Sequence, residues 1–151
     1  MRVRILRRLN PVIMRLLASP LHGLLSRDVL VLGYHGRRSG RRYAVPLSYV
    51  RMDDRLYLCT RPDGSSWWRN LREGADVELV LRGRRTAARA VVLPSDSAEA
   101  LAGLRAFLTR NPGTGRLLYQ VDTDDGGKPR DEDLAREVLR SVIVRLRPHV
   151  P

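Results

Sequence analysis

Short apolar or alternating segments recur along the chain from residue 29 onwards, and glycine, proline or aspartate separates most of them. The segments with the length and period of β-strands cover residues 29–35, 43–50, 55–60, 77–81, 86–92 and 142–146. Helical spacing is found instead over residues 66–71, 97–109 and 131–139. Short strands joined by turns favour a small antiparallel barrel with covering helices. We therefore predict an α+β, mainly β, fold with about six antiparallel strands.

The chain before residue 28 has a different pattern, in which leucines near helical spacing alternate with arginines. This pattern predicts a basic amphipathic helix or helix pair over residues 3–26, restarted at Pro11 and Pro20. Such a helix either packs on the barrel with its arginines in solvent or lies on an anionic membrane surface. We expect an N-terminal basic helical segment over residues 1–27 and a single barrel domain over residues 28–151.

The net charge of +12 is concentrated at the start of the chain, where residues 1–50 carry ten arginines against Asp28 alone. A nucleic-acid binder is one class that such a charge suggests, but aromatic residues are rarely interleaved with the basic ones, so we expect no nucleic-acid partner. The single cysteine, Cys59, excludes an internal disulfide, and the scattered histidines predict no metal site. The chain has no secretory signal pattern and no apolar run of about 18 residues, so we expect a cytoplasmic location.

The loop between the first two predicted strands has the densest charge, in the run Gly36-Arg37-Arg38-Ser39-Gly40-Arg41-Arg42. Glycines let a backbone turn sharply and bring its N–H groups close to a ligand. Arginine forks and a serine hydroxyl suit a phosphate group. The other interpretation is a solvated turn in an arginine-rich protein. No Lys-Ser/Thr pair follows, so the loop is not a P-loop.

Both tryptophans of the chain, Trp67 and Trp68, are adjacent and begin a short predicted helix. Such a pair can wall an aromatic ring system, although at least one of the two is expected to fill the core. No set of residues suited to nucleophilic or acid–base catalysis stands out. Cys59 lies within an alternating strand, which favours a packed rather than a reactive thiol. These features favour chemistry that is carried out by a bound cofactor.

The order of these motifs, with Val45-Pro46-Leu47 between the charged loop and the tryptophans, resembles the deazaflavin-dependent nitroreductase family over roughly residues 5–93. This resemblance implies the split β-barrel of the pyridoxamine-phosphate-oxidase-like flavin and deazaflavin oxidoreductases. It also implies coenzyme F420 as the cofactor and hydride delivery to quinones, nitroaromatic compounds or related acceptors. Some members of that family associate with the membrane.

The resemblance also implies which residues hold the cofactor. Those that correspond to the family's phosphate and acidic-tail site are Arg37, Arg38, Ser39, Gly40, Arg41 and Arg42. Those that correspond to the border of the deazaflavin ring are Val45, Pro46, Leu47, Cys59, Thr60, Arg61, Trp67, Trp68 and Asn70. Trp67 and Tyr119 are candidates for the acceptor pocket. The sequence departs from the family at Val45 and Ser48, which stand where the family has asparagine and often an aromatic residue.

The leading hypothesis is an F420-dependent oxidoreductase that reduces a planar hydrophobic acceptor. Other hypotheses are an FMN-dependent homologue or a carrier of F420, FMN or haem without turnover. Under each hypothesis, residues 3–26 are the segment that could make peripheral contact with a membrane. Both a monomer and a homodimer are compatible with the sequence.

Overall fold

The structure is a computed structural model, and it describes residues 28–149. The predictions for residues 1–27 therefore lie outside the described residues. Seven strands are present in this part of the chain: β1 Val29–His35, β2 Arg42–Ser48, β3 Val50–Met52, β4 Arg55–Thr60, β5 Ala75–Leu81, β6 Arg84–Val92 and β7 Val142–Pro148. The helices are a 3₁₀ helix Trp67–Leu71, α1 Ala98–Arg110, α2 Pro112–Leu118 and α3 Asp131–Val138. None of these helices is both long and apolar enough to cross a membrane.

All seven strands form one antiparallel sheet in the order β2-β1-β5-β6-β7-β4-β3. The two edge strands, β2 and β3, are separated in the chain by Tyr49 alone. Because one residue cannot span the width of a flat sheet, the sheet must curve until its two edges meet at Tyr49. The result is the barrel that the sequence predicted, with helices added on its outside.

Residues at alternate strand positions converge on a first core cluster inside the curved sheet. Its fully buried members include Leu30, Leu32, Leu56, Leu79 and Leu146. Alternation along a strand sends every second side chain to the same face, so one leucine-rich face of the sheet becomes the barrel interior. The 3₁₀ helix packs into the same cluster through Trp67, Trp68 and Leu71.

The opposite face of β4 and β7 forms a second core cluster with the helices. Tyr57 and Ile143 point to this side and pack with Leu104 and Phe107 of α1 and Leu134 of α3. Gly103 makes the close contact of α1 with the sheet possible, because a Cβ there would lie 3.0 Å from the Tyr57 ring. The two clusters account for the two layers, a sheet and its helical cover.

Two sequence predictions need correction. The segment predicted as one strand over residues 43–50 is broken at Tyr49 into β2 and β3, which gives seven strands instead of six. The sequence also did not predict α2, which Pro112 begins directly after the end of α1. Proline is compatible with a first helical turn because the N–H it lacks has no intrahelical partner there. Pro46 is tolerated within β2 because β2 is an edge strand.

Glu99, in the first turn of α1, ties that helix to the sheet. Its carboxylate accepts hydrogen bonds from Tyr57 Oη at 2.8 Å, from Arg55 at 3.1 Å and from Arg145 at 2.8 Å. Burial alone raises the pKa of Glu99, but the hydrogen bonds from Tyr57 and Arg145 outweigh it and hold the pKa below its ordinary value. The ionised form of Glu99 is therefore the one that stabilises the fold.

We expect Glu99→Gln to lower the free energy of unfolding at pH 7 by about 1 kcal/mol, because an amide keeps only part of these hydrogen bonds. A folded-state pKa below the unfolded value means that this contribution is complete above the ordinary carboxyl pKa and is lost as the pH falls through the folded value. Urea unfolding of the two proteins from pH 7 to pH 3 measures the difference, which should shrink with acidification. An equal change in Glu73→Gln, a variant of an exposed carboxylate without an ion pair in residues 28–149, would contradict a specific role for Glu99.

Candidate functional site

The charged loop, residues 36–41, connects β1 to β2 and is held by its own hydrogen bonds. The N–H of Gly36 donates to Arg41 O and the N–H of Gly40 donates to Gly36 O, each at 2.8 Å. Arg41 N–H donates to the Ser39 hydroxyl oxygen at 3.2 Å. Gly40 has a φ of 66°, in the left-handed region that glycine adopts without strain. The turn is compact, and the side chains between its two glycines lie in solvent.

Three arginines of this loop have no counter-charge within the part of the chain that the structure describes. Arg37, Arg38 and Arg41 are exposed, and no carboxylate of residues 28–149 lies within ion-pair distance of their guanidinium groups. Three uncompensated positive charges within five residues make this loop a site of attraction for an anion. Arg42 differs, because its Nη2 donates to Glu78 Oε1 at 2.8 Å.

The charged loop is joined to the tryptophan helix by one hydrogen bond. The backbone N–H of Arg37 donates to Asn70 Oδ1 at 3.0 Å, across 33 residues of sequence. The amide nitrogen of Asn70 donates in turn to Trp67 O at 3.1 Å. The structure thus brings together the two motifs that the sequence singled out separately, and Asn70 is the residue that connects them.

Both tryptophans are buried. Trp67 and Trp68 are 6% and 7% exposed and belong to the first core cluster. The indole N–H of Trp68 donates to Ser65 O at 2.9 Å, and the Arg72 guanidinium carbon lies 4.8 Å from the centre of its ring. Ser65 also exchanges a hydrogen bond of 3.1 Å with Thr60, so the end of β4 and the start of the 3₁₀ helix hold each other in place.

The remaining ring-border candidates are divided between the faces of the sheet. Val45 and Leu47 pack against the first core cluster, whereas Pro46 is paired in register with Val31, which belongs to a small third cluster. Cys59 packs against the second cluster, and burial raises the pKa of its thiol. A packed, protonated thiol agrees with the structural role expected for this cysteine.

Arg61 and Tyr119 lie on the helical side of the sheet. Arg61 donates to Leu118 O at 3.1 Å and to Glu137 Oε2 at 3.2 Å, and Glu137 is 1% exposed. Tyr119 is buried in the second cluster, and this burial raises the pKa of its phenol. Trp67 and Tyr119, the two candidates for the acceptor pocket, therefore belong to different clusters, and their roles stay predictions.

Sequence reasoning missed two acidic residues near these candidates, Glu78 and Glu137. Glu78 interrupts the apolar run of β5. Within the predicted strand 77–81 it is the one charged residue, and this was the signal that could have singled it out. Glu137 gave no comparable signal, because its burial depends on how α3 packs. In residues 28–149 no group of three or more histidine, cysteine, aspartate or glutamate side chains is arranged to hold a metal ion.

Solved structures with the same fold include oxidoreductases. An F420H2-dependent reductase, FDR-A, aligns with a TM-score of 0.55 at 17% identity, over 78% of this chain and 94% of that one. A putative pyridoxamine 5'-phosphate oxidase from Listeria innocua aligns with a TM-score of 0.52 at 10% identity, over 86% of this chain and 90% of that one. An FAD and haem binding protein from Mycobacterium smegmatis aligns with a TM-score of 0.50 at 19% identity, over 87% of this chain and 67% of that one. No curated protein matches the chain in sequence.

These likenesses confirm the fold class, a split β-barrel of the pyridoxamine-phosphate-oxidase type. Which family of this fold class the chain belongs to is shown by its sequence. The chain belongs to the F420H(2)-dependent quinone reductase family, whose sequence profile matches residues 6–134. Its cofactor is coenzyme F420, and the suspected relationship to deazaflavin-dependent reductases is confirmed.

The charged loop has the chemistry that a phosphate-bearing cofactor needs. Arg37, Arg38 and Arg41 offer guanidinium donors that no carboxylate in residues 28–149 occupies. The loop is also tightly built around Gly36, where a Cβ would lie 2.8 Å from Ser39 Oγ and 3.0 Å from the Tyr43 ring. The residues present therefore fit the cofactor's phosphate.

We expect Asn70→Ala to loosen the charged loop, because Arg37 N–H loses its acceptor. F420 affinity should fall about threefold, and amide exchange at Arg37 should become faster. Fluorescence titration and hydrogen exchange measure the two effects. Asn70→Asp keeps an acceptor oxygen for Arg37 N–H, so amide exchange at Arg37 should stay slow, whereas F420 affinity should fall because the donor to Trp67 O is lost and a negative charge is added beside the loop. If the alanine variant keeps both properties, this hydrogen bond does not organise the loop.

Proposed function

We propose that this protein transfers a hydride from reduced F420 to a planar hydrophobic acceptor of the quinone or nitroaromatic type. The observation that carries the proposal is the charged loop, which Asn70 fixes to the helix that carries both tryptophans and whose Arg37, Arg38 and Arg41 have no carboxylate partner in residues 28–149. Membership of the F420H(2)-dependent quinone reductase family supports the choice of cofactor, and the type of acceptor is the part that we propose.

The loop would hold the anionic part of the cofactor. Arg37, Arg38 and Arg41 provide charged donors, while Ser39 and the compact backbone limit how far these donors can move. Arginine suits this role because its planar fork meets two phosphate oxygens at once. Since the loop is closed by backbone hydrogen bonds before any ligand arrives, little conformational entropy is lost on binding.

Apolar and aromatic side chains next to this loop would face the ring of the cofactor and its acceptor. Tyr34 and Tyr43 are stacked, with ring centres 5.7 Å apart, at the ends of β1 and β2 where the charged loop begins and ends. Val45 follows two residues further along β2. Such surfaces exclude water and favour flat aromatic molecules over small polar ones.

The cofactor supplies the redox chemistry: reduced F420 gives up a hydride, and a quinone that takes it up with one proton becomes a hydroquinone. The chain's own residues would bind and orient the reactants. No side chain of the site needs to act as a nucleophile, in agreement with the packed state of Cys59 and its raised thiol pKa. A cytoplasmic location and lipid contact through residues 3–26 stay predictions.

Binding of F420 tests the charged loop directly. We expect fluorescence titration to show saturable binding that weakens with salt, because exposed charges are screened. Arg41→Ala should lower the affinity about tenfold, since a charge-assisted hydrogen bond to phosphate is lost. Arg116→Ala removes an exposed arginine of α2 and should change the affinity little. Equal losses in both variants would mean that only the net charge matters.

Turnover tests the acceptor. Starting from reduced F420 without a regenerating system, we expect oxidation of the cofactor to depend on added menadione, and to be slower with a nitroaromatic compound. Saturable binding of F420 without oxidation by either acceptor would instead identify a carrier. Binding of FMN in place of F420 would point to a flavin homologue.

A further inference from the structure

Glu78 lies on the outer face of the sheet, as does Asp76 two residues earlier in β5, which is paired with Arg89. In the register of the strands Glu78 lies between Gly33 of β1 and Ala87 of β6. These neighbours have no side chain or only a methyl group, so the Glu78 side chain has no large residue beside it on the two adjacent strands. The same residues line a cavity of about 400 Å³, with Arg42, Arg85 and His35 around it.

One oxygen of Glu78 serves two arginines. Arg42 Nη2 lies 2.8 Å from Oε1, and Arg85 Nη1 lies 3.8 Å from the same atom. The side chains of Glu78, Arg42 and Arg85 are 39%, 59% and 65% exposed, so water screens both ion pairs. An ion pair of this kind is weak, and a dianion that reaches the two guanidinium groups can replace the carboxylate.

The cavity adjoins the two ends of the charged loop, because His35 and Arg42, which flank residues 36–41, line it. Arg42 follows Arg41 directly and begins β2, and the ring of His35 lies 3.4 Å from Gly40 O. Arg42 is thus at once the last arginine of the charged run and a member of the cavity wall. It differs from Arg37, Arg38 and Arg41 because Glu78 already occupies it.

We propose that Glu78 is an internal competitor for anions, which occupies Arg42 until the phosphate of a bound ligand displaces it. This inference rests on the proposed function and adds to it the residue that sets the affinity. Binding of a phosphate-bearing ligand then includes an exchange, in which Arg42 leaves Glu78 and pairs with the ligand. Glu78 lowers the affinity and lets the ligand dissociate more readily.

The sign of the effect separates this role from the usual one of a carboxylate beside an arginine. A carboxylate that merely orients Arg42 would strengthen ligand binding, and its removal would weaken it. A competitor does the opposite. Glu78 and Arg42 both line the cavity and contact each other there, so a ligand in the cavity has access to the same guanidinium group.

Glu78→Gln tests the proposal. We expect the affinity for F420 to rise by roughly three- to fivefold, as for loss of an exposed ion pair. Glu73→Gln removes the same charge from an exposed residue that has no ion pair in residues 28–149, and should change the affinity less than about twofold. In the background of Arg42→Ala the gain from Glu78→Gln should shrink, because only Arg85, the more distant of the two arginines, is left for Glu78 to occupy.

Inorganic phosphate provides a second measurement that does not depend on F420. Thermal stabilisation by phosphate should be larger for Glu78→Gln than for the unmodified protein, since ligand binding to the folded state raises Tm. Weaker binding by Glu78→Gln, a gain equal to that of Glu73→Gln, or a gain that Arg42→Ala does not diminish would each overturn the proposal. If the unmodified protein does not bind F420, the proposed function fails, whereas the phosphate measurement still decides on Glu78.

Discussion

The closure of the sheet at Tyr49 is the constraint on which the rest of the structure depends. Ser48 and Val50 belong to the two edge strands of a seven-stranded sheet, and a single buried residue joins them. The sheet has to curve to satisfy this connection, and its leucine-rich face becomes an interior large enough for Trp67 and Trp68. Curvature also leaves the other face of β4 and β7 convex, where α1 and α3 cover it.

The four arginines of the run from Gly36 to Arg42 fall into two groups by their electrostatic surroundings. Arg37, Arg38 and Arg41 extend into solvent without a carboxylate partner in residues 28–149, and Asn70 anchors the backbone that carries them. Arg42 turns to the outer face of the sheet and pairs with Glu78. Four arginines that look equivalent in sequence are therefore unequal in the fold, because the strand that begins at Arg42 imposes the alternation of its faces.

The local sequence predicted most elements because their signals are short-range. The alternation over residues 55–60 reappears as β4, and the helical spacing over residues 97–109 reappears as α1, with Ser97 as its N-cap. The failures occur where local signals are ambiguous. Nothing near Tyr49 marks a change of strand, and the signal at Pro112 for ending one helix is also a signal for beginning another.

The sequence by itself determined the class of fold, the charged loop and the family, since strand periodicity and motif order are properties of the chain alone. Only the tertiary structure decided that both tryptophans are buried, that Asn70 meets Arg37, and that Glu78 holds Arg42. Each of these contacts joins residues far apart in the chain. They depend on how the strands are ordered in the curved sheet, and that order arises from packing of the whole core rather than from any local pattern.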